Sequence, residues 1–346
     1  MHKPTITVGP GKPDWFEKSS HTAQGFYRSI VPLGELRRAG KIEVRENVEL
    51  TVPDAAQTDI LFLHVPSTQS AVISADRAKK YGVKVWIDFD DLLWPPGAIP
   101  MANLAGITFR QKAAQDAFLM CLSLADVVTT STEHLRAKML EHYKFLKPSQ
   151  VIAIHNAMPD RMWSQRKAYR PTGKQAKVLW RGSITHEGDV YRYRNGWKPY
   201  KNIAYQFFGH NPVWINEQYD GHLKEYTWTQ WQPGLMEYFH QLKKFDADYV
   251  MVPLEDNDFN RAKSNIAWLE GTWAGMACMA PHQMPEFASV PTIDIPSPRG
   301  LEKTLQAISR GEDLRAAKYI ESRAVIESKY LLSHTNPKRL EIIEGL

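Results

Sequence analysis

Short apolar runs alternate with helical patterns along almost the whole chain. In the first half, residues 5–8, 59–65, 83–89, 126–131 and 151–155 read as strands, and residues 24–39, 69–81, 109–124 and 132–143 read as helices. Such alternation argues for α/β layers with mainly parallel sheets, each helix returning the chain for the next strand through a right-handed crossover. Residues 159–175 break the pattern. They are polar and basic, contain Pro171 and Gly173, and read as a linker. The pattern then restarts, with strands at 177–181, 204–208, 225–228, 249–254, 277–280 and 292–295 and helices at 234–245, 263–274 and 301–310. Residues 313–330 and 337–345 are helical, and no repeat of solenoid length is present. The expected architecture is two Rossmann-like, doubly wound domains facing across a cleft. The first spans residues 1–165 and the second 166–325, with a helix in 326–346 returning to the first domain.

In open α/β sheets, ligands bind beyond the C-terminal ends of the strands, so the polar residues there matter most. Residues 253–275, PLEDNDFNRAKSNIAWLEGTWAG, run from an apolar strand through a polar loop into a helix predicted to open at Lys263-Ser264-Asn265. On that helix Lys263 and Glu270 stand about two turns apart and project from one face. A diphosphate would sit on the helix N-terminus, where amides without partners and the helix dipole favour an anion. Glu270 would accept from a vicinal diol such as a ribose, which is the outline of a nucleotide-sugar site. The plainer alternative is an ordinary N-cap followed by a solvated glutamate.

Four further segments carry candidate chemistry. The strand-to-turn stretch Val178-Leu179-Trp180-Arg181-Gly182-Ser183-Ile184-Thr185-His186 lets the backbone approach a ligand at Gly182, and Arg181 offers a planar fork to a phosphate. Its plain reading is a strand-to-helix turn capped by Ser183. In the first domain, KVWIDFDDLLW places Asp88, Asp90 and Asp91 at a strand end. Mutual repulsion among such carboxylates raises one of them toward general-base duty. The order of preference is a base or orienting residue, then a structural pair, then a metal ligand set. His21-Thr-Ala-Gln-Gly25-Phe-Tyr-Arg28 reads as a loop feeding a helix, with His21 and Arg28 toward the cleft. His21 and His64 are lone histidines, a type more often at the surface or satisfied in a core than a ligand. Residues 191–201, YRYRNGWKPYK, interleave Arg192 and Arg194 with aromatics including Trp197. That describes a phosphate-tracking surface with stacking platforms, and equally a surface loop with one buried Trp.

Composition narrows the field only a little. The 346 residues allow two domains, and 43% hydrophobic content without a biased tract describes a globular chain. A formal charge of +5 permits a polyanionic partner without requiring one. Two cysteines, Cys121 and Cys278, each within an apolar stretch, read as free thiols of a reducing compartment. The N-terminal residues have no apolar core of a signal peptide, and no run is long enough to span a membrane. The expected location is the cytoplasm.

Taken together, these segments resemble the GT-B glycosyltransferases of the family 4 type. The carrying residues are Gly25 and Arg28, Asp90-Asp91-Leu92-Leu93-Trp94, Ala125-Asp126 with Thr130-Ser131, Asn156, Gly182-Ser183 with His186 and Asp189, and Pro253-Leu254-Glu255-Asp256 followed by Asn260, Lys263, Ser264 and Glu270. The resemblance implies a GT-B fold, a UDP-sugar donor and no required metal. Glu270 would bind the ribose and Lys263, Ser264 and Asn265 the diphosphate, with Arg181 and Gly182-Ser183 as the second wall. Ala262 occupies the position where many members carry a second Glu, which leaves sugar and mechanism open and keeps a non-catalytic binding module as an alternative. A more distant likeness is to the phage DNA β-glucosyltransferases, through Asp90, Gly182-Ser183 and Glu270. It implies Asp90 as base, inversion at the sugar, and a hydroxymethylated base in double-stranded DNA as acceptor. Family 4 kinship would instead imply retention, and a glycan or lipid-linked sugar is the other acceptor class.

Overall fold

The computed structural model describes residues 3–9, 25–46, 49–93, 111–219, 226–230 and 234–346. The chain forms two compact units, with Arg161–Lys329 in the second and the described residues up to Asp160 and from Tyr330 onward in the first. In the first unit, β1 (Thr5–Val8), β2 (Glu43–Glu46), β3 (Ile60–His64), β4 (Lys84–Phe89), β5 (Val127–Thr130) and β6 (Val151–Ala153) form a parallel sheet in the order β2-β1-β3-β4-β5-β6. Around it lie α1 (Val31–Arg38), α2 (Gln69–Lys80), α3 (Lys112–Ser123) and α4 (Glu133–His142). Helix entry is set locally: the hydroxyls of Thr68 and Thr132 accept from the amides of Ala71 and Leu135, caps that contribute about 1 kcal/mol each. The C-terminal helix, Leu332–Gly345, adds Ile342 and Ile343 to the apolar core made by Ile6, Phe62 and Trp86. Asn336 on this helix donates to the Pro32 carbonyl at the start of α1, at 3.2 Å.

The second unit repeats the plan. β7 (Ala176–Gly182), β8 (Ile203–Gly209), β9 (Thr227–Thr229), β10 (Tyr249–Met251), β11 (Ala277–Ala280) and β12 (Ile293–Asp294) form a parallel sheet ordered β12-β11-β10-β7-β8-β9. Its helices include α5 (Glu187–Arg192), α6 (Leu235–Lys244), α7 (Ile266–Trp273), α8 (Pro298–Ser309) and α9 (Arg315–Lys329). Strand order reverses between β1 and β3 in the first sheet and between β7 and β10 in the second, and such switch points open a crevice at the C-terminal strand ends. These are the GT-B layers that the sequence predicts.

Three elements depart from expectation. β2, with the sequence EVRE, is a mostly exposed edge strand whose single apolar side chain, Val44, packs half-buried on the core, so hydrophobic pattern alone does not reveal it. The helix expected over 24–39 opens instead as a wide π-helical turn, Phe26–Ile30, before α1. α7 begins at Ile266, so Lys263 lies in the preceding loop and not on the helix.

Candidate functional site

At the C-terminal edge of the first sheet, parallel register places His64 of β3 and Thr129 of β5 on either side of Asp88 of β4. The π-helical turn brings Arg28 in from above. Its guanidinium grips Asp88 bidentately, Nε to Oδ2 at 3.0 Å and Nη2 to Oδ1 at 2.6 Å, and also donates to the Ile154 carbonyl and to Asn156 Oδ1. Thr129 donates its hydroxyl to Asp88 Oδ1 at 2.6 Å, and His64 Nδ1 lies 3.0 Å from Oδ2. Burial alone would raise the Asp88 carboxyl. The Arg28 charge and the bonds from His64 and Arg28 outweigh it and hold the group well below the usual carboxylate range. Two positions on, Asp90 is 7% exposed, with Oδ1 3.6 Å from His64 Nε2 and its backbone carbonyl accepting from Ser131.

This geometry sorts the three aspartates. Asp88 is a buried counter-ion with its acceptor sites occupied, and so is corrected from candidate base to structural anchor. Asp90 lies just past the strand end, and Asp91 follows, half-buried, at the start of the next turn. Arg28 is likewise corrected: it is buried on Asp88 rather than presented to a ligand, because an ionised aspartate inside the sheet edge requires a cation. Gly25 is buried at the head of the same turn, its carbonyl accepting from Ser29. His21 lies outside the described residues.

In the second unit the strand ends at the switch point are tied together. Asp189 on α5 pairs with His186 at 2.9 Å through one carboxylate oxygen. Through the other it accepts from the amide of Glu255, after β10, and from Asn260 Nδ2. The Gly182-Ser183 turn after β7 is therefore linked to the loop that leads to α7. A Cβ at Gly182 would lie 2.6 Å from the Trp180 ring, so the bare backbone is needed there. Ser183 shares a 2.6 Å hydrogen bond with Thr185 and does not cap a helix with its side chain.

α7 itself opens without a side-chain cap. Asn265, at its N-cap position, is 1% exposed, and its Nδ2 has no hydrogen-bond partner among the described residues. Glu270, 1% exposed, lies 2.7 Å from Arg181 Nη2 and accepts the Tyr238 hydroxyl at 2.6 Å. Burial and the adjacent Glu270 carboxylate push the Tyr238 phenol well up, so it stays a donor. Arg181, expected to present its fork to a phosphate, faces Glu270 instead. Lys263 is half-buried with its ammonium 4.5 Å over the Phe259 ring, and Ser264 precedes Asn265 in the same loop.

Sequence reasoning did not single out Tyr238. It lies in an amphipathic helix and stacks on Phe208, so nothing local marks it as a partner of Glu270. Trp197 requires correction as a stacking platform: it is 1% exposed and packs among Tyr205, Phe207 and Trp180. Of the basic-aromatic segment, Tyr191 and Arg192 are exposed and Arg194 lies over the Tyr191 ring at 4.4 Å.

The sequence matches no protein-family profile and no curated protein. The fold is similar to solved structures along the full chain. Anabaena HepE in complex with UDP and glucose aligns with a TM-score of 0.64 at 12% identity, covering 100% of both chains. T4 phage BGT in complex with its UDP-glucose substrate aligns at 0.56 and 11% identity, covering 99% of this chain and 98% of that one. The DNA modifying enzyme β-glucosyltransferase, studied with and without uridine diphosphoglucose, aligns at 0.53 and 11% identity with the same coverage. The chain thus has a GT-B glycosyltransferase fold.

Proposed function

We propose that the protein is a glycosyltransferase that moves a sugar from a UDP-sugar to a hydroxyl acceptor. The carrying observation is the uncapped start of α7, with the buried amide of Asn265 at its N-cap and Glu270 fixed one helix turn further on by Arg181 and Tyr238. The diphosphate occupies the open first turn of α7, with Lys263, Ser264 and Asn265 around it, while Glu270 accepts from the ribose. Gly182, Ser183 and His186, steadied through Asp189, form the second wall. Full-length likeness to structures holding UDP, glucose or UDP-glucose supports the donor class.

Asp90 serves as the base that takes the acceptor hydroxyl proton as the bond to the anomeric carbon forms. Attack on the face opposite the departing UDP would invert the sugar. The residues derived above perform this chemistry by positioning and charge stabilisation, without a metal being needed. The acceptor we propose is a hydroxymethylated pyrimidine in duplex DNA, flipped from the stack to reach Asp90. The net charge of +5, exposed Tyr191 and Arg192, and the likeness to a DNA modifying β-glucosyltransferase support it. No helix among the described residues is long and apolar enough to cross a membrane.

Radiolabelled UDP-glucose offered with hydroxymethylated or unmodified duplex tests both levels. Label on the modified duplex alone supports the whole reading. Label on glycan acceptors only moves the acceptor class, and binding without transfer to any acceptor leaves a nucleotide-sugar-binding module. Glu270→Ala should weaken UDP binding about tenfold or more, the scale of a lost bond to a charged group. Unchanged affinity by calorimetry would remove Glu270 from the donor site.

A further inference from the structure

His64 sits at the end of β3, fully buried, with a carboxylate facing each ring nitrogen: Asp88 Oδ2 at 3.0 Å from Nδ1 and Asp90 Oδ1 at 3.6 Å from Nε2. Asp88 stays ionised, gripped by Arg28, and an ionised carboxylate only accepts hydrogen bonds. The ring proton therefore belongs on Nδ1, which leaves the Nε2 lone pair directed toward Asp90. Among the described residues, Arg28 and Arg339 of the C-terminal helix also bear on Asp88. Burial, with Arg28 close by, pushes Arg339 down to about 9. Val65, the residue after His64, holds φ at 48° although it is β-branched and fully buried, a conformation kept only where surrounding contacts enforce it. One such contact is its own amide, which donates to the Asp88 carbonyl at 2.8 Å.

We propose that His64 is the proton store of the transfer reaction, a positioning residue that acts through Asp90. This rests on the glycosyltransferase reading above and adds where the proton goes. The acceptor O–H bond breaks and an Asp90 O–H bond forms while the acceptor oxygen bonds the anomeric carbon. The bond from that carbon to the diphosphate breaks, and UDP leaves with the electron pair. Asp90 then gives the proton to Nε2, so an imidazolium rests between two carboxylates and Asp90 recovers its charge before the product departs. The proton then returns to water through Asp90. The 3.6 Å separation has to shorten by a few tenths of an ångström for this step, as catalytic contacts often do when substrate binds.

The test has one arm that needs no turnover. In the full-length protein with ¹⁵N-labelled histidine, NMR should show His64 protonated on Nδ1 at high pH. Its titration midpoint should fall by at least about one unit in Asp90→Asn, because the ring loses one of its two carboxylates. A proton on Nε2, or a midpoint indifferent to Asp90→Asn, overturns the proposal. In the second arm, His64→Gln and His64→Asn both remove the store, while Asn still offers an amide to Asp88. Each should keep UDP affinity, lose about 100-fold in kcat, and shift the acidic limb of the pH–rate profile acidward by about one unit or more. A loss of kcat with an unmoved limb assigns His64 a structural role only and overturns the store. Absence of transfer by the wild type with every acceptor would reject the transferase reading, and the NMR arm still decides whether His64 and Asp90 share a proton.

Discussion

Asp88 and Asp90 stand two positions apart at the end of β4, on the same face, yet their surroundings assign them different work. Asp88 lies between His64 and Thr129 in the sheet register and beneath Arg28, while Asp90 has passed the last strand residue, Phe89. Asp90→Asn should lower kcat by a factor of about 10²–10⁴ with the fold intact, since a general base contributes on that scale. Asp88→Asn should instead strip a buried arginine of its counter-ion and destabilise the first unit by about 3–5 kcal/mol in denaturant melts. The pH dependence has a definite sign. The folded carboxyl of Asp88 lies below its unfolded value of roughly 3.9, so its stabilisation is present above about pH 4 and is lost as pH falls toward the folded value. Wild type should lose stability across that acid range, and Asp88→Asn should show a flatter profile there. Equal acid dependence in the two proteins would contradict the pairing. The sequence shows a carboxylate cluster at this strand end but not which member is buried, because the neighbours that decide it are about 24 and 41 residues away along the chain.

Elements, more than single residues, were legible from the pattern of apolar runs, since strands such as Ile60–His64 are buried along their length and announce themselves. Where an element carries a single apolar side chain, as in β2, or its start depends on one turn of backbone, as at α7, periodicity does not place it. Trp197 illustrates the same limit: a basic-aromatic string looks alike whether its tryptophan points outward or fills the core beside Phe207. The proposed donor site hangs on how closely α7 lies against β10. A Cβ on Gly271 would come within 2.3 Å of Val250 Cγ1 and 3.2 Å of its Cβ, and the branched side chain of a buried strand has little room to move aside. Gly271→Ala should therefore destabilise the second unit by about 1–3 kcal/mol and push α7 off the sheet. Because Glu270 and Asn265 travel with that helix, UDP affinity should fall together with the denaturation midpoint. Retained affinity at reduced stability would mean that the donor site does not depend on the seating of α7.

For the molecule as a whole, a charge of +5 spread over 346 residues is too small to hold DNA by net attraction alone, so a duplex acceptor must be engaged through a few local contacts. Arg192 and Lys201 are exposed cations of the 191–201 segment, Arg192 beside the exposed Tyr191, while Arg194 lies over the Tyr191 ring. Each phosphate contact releases counterions and adds about 0.9 to the slope of log affinity against log salt. If the proposed acceptor is right, binding to duplex DNA should be weak and salt-dependent with a shallow slope, and Arg192→Ala should lower that slope by about 1. The loss should be the same for hydroxymethylated and unmodified duplex, because phosphate contacts carry no base information. Discrimination between the two should arise only at Asp90, where the hydroxymethyl group reacts, so Asp90→Asn should slow transfer by the same factor of about 10²–10⁴ while leaving the salt slope intact. A protein that transfers sugar but binds duplex no better than a neutral competitor, at any salt concentration, takes its hydroxyl acceptor from somewhere other than DNA.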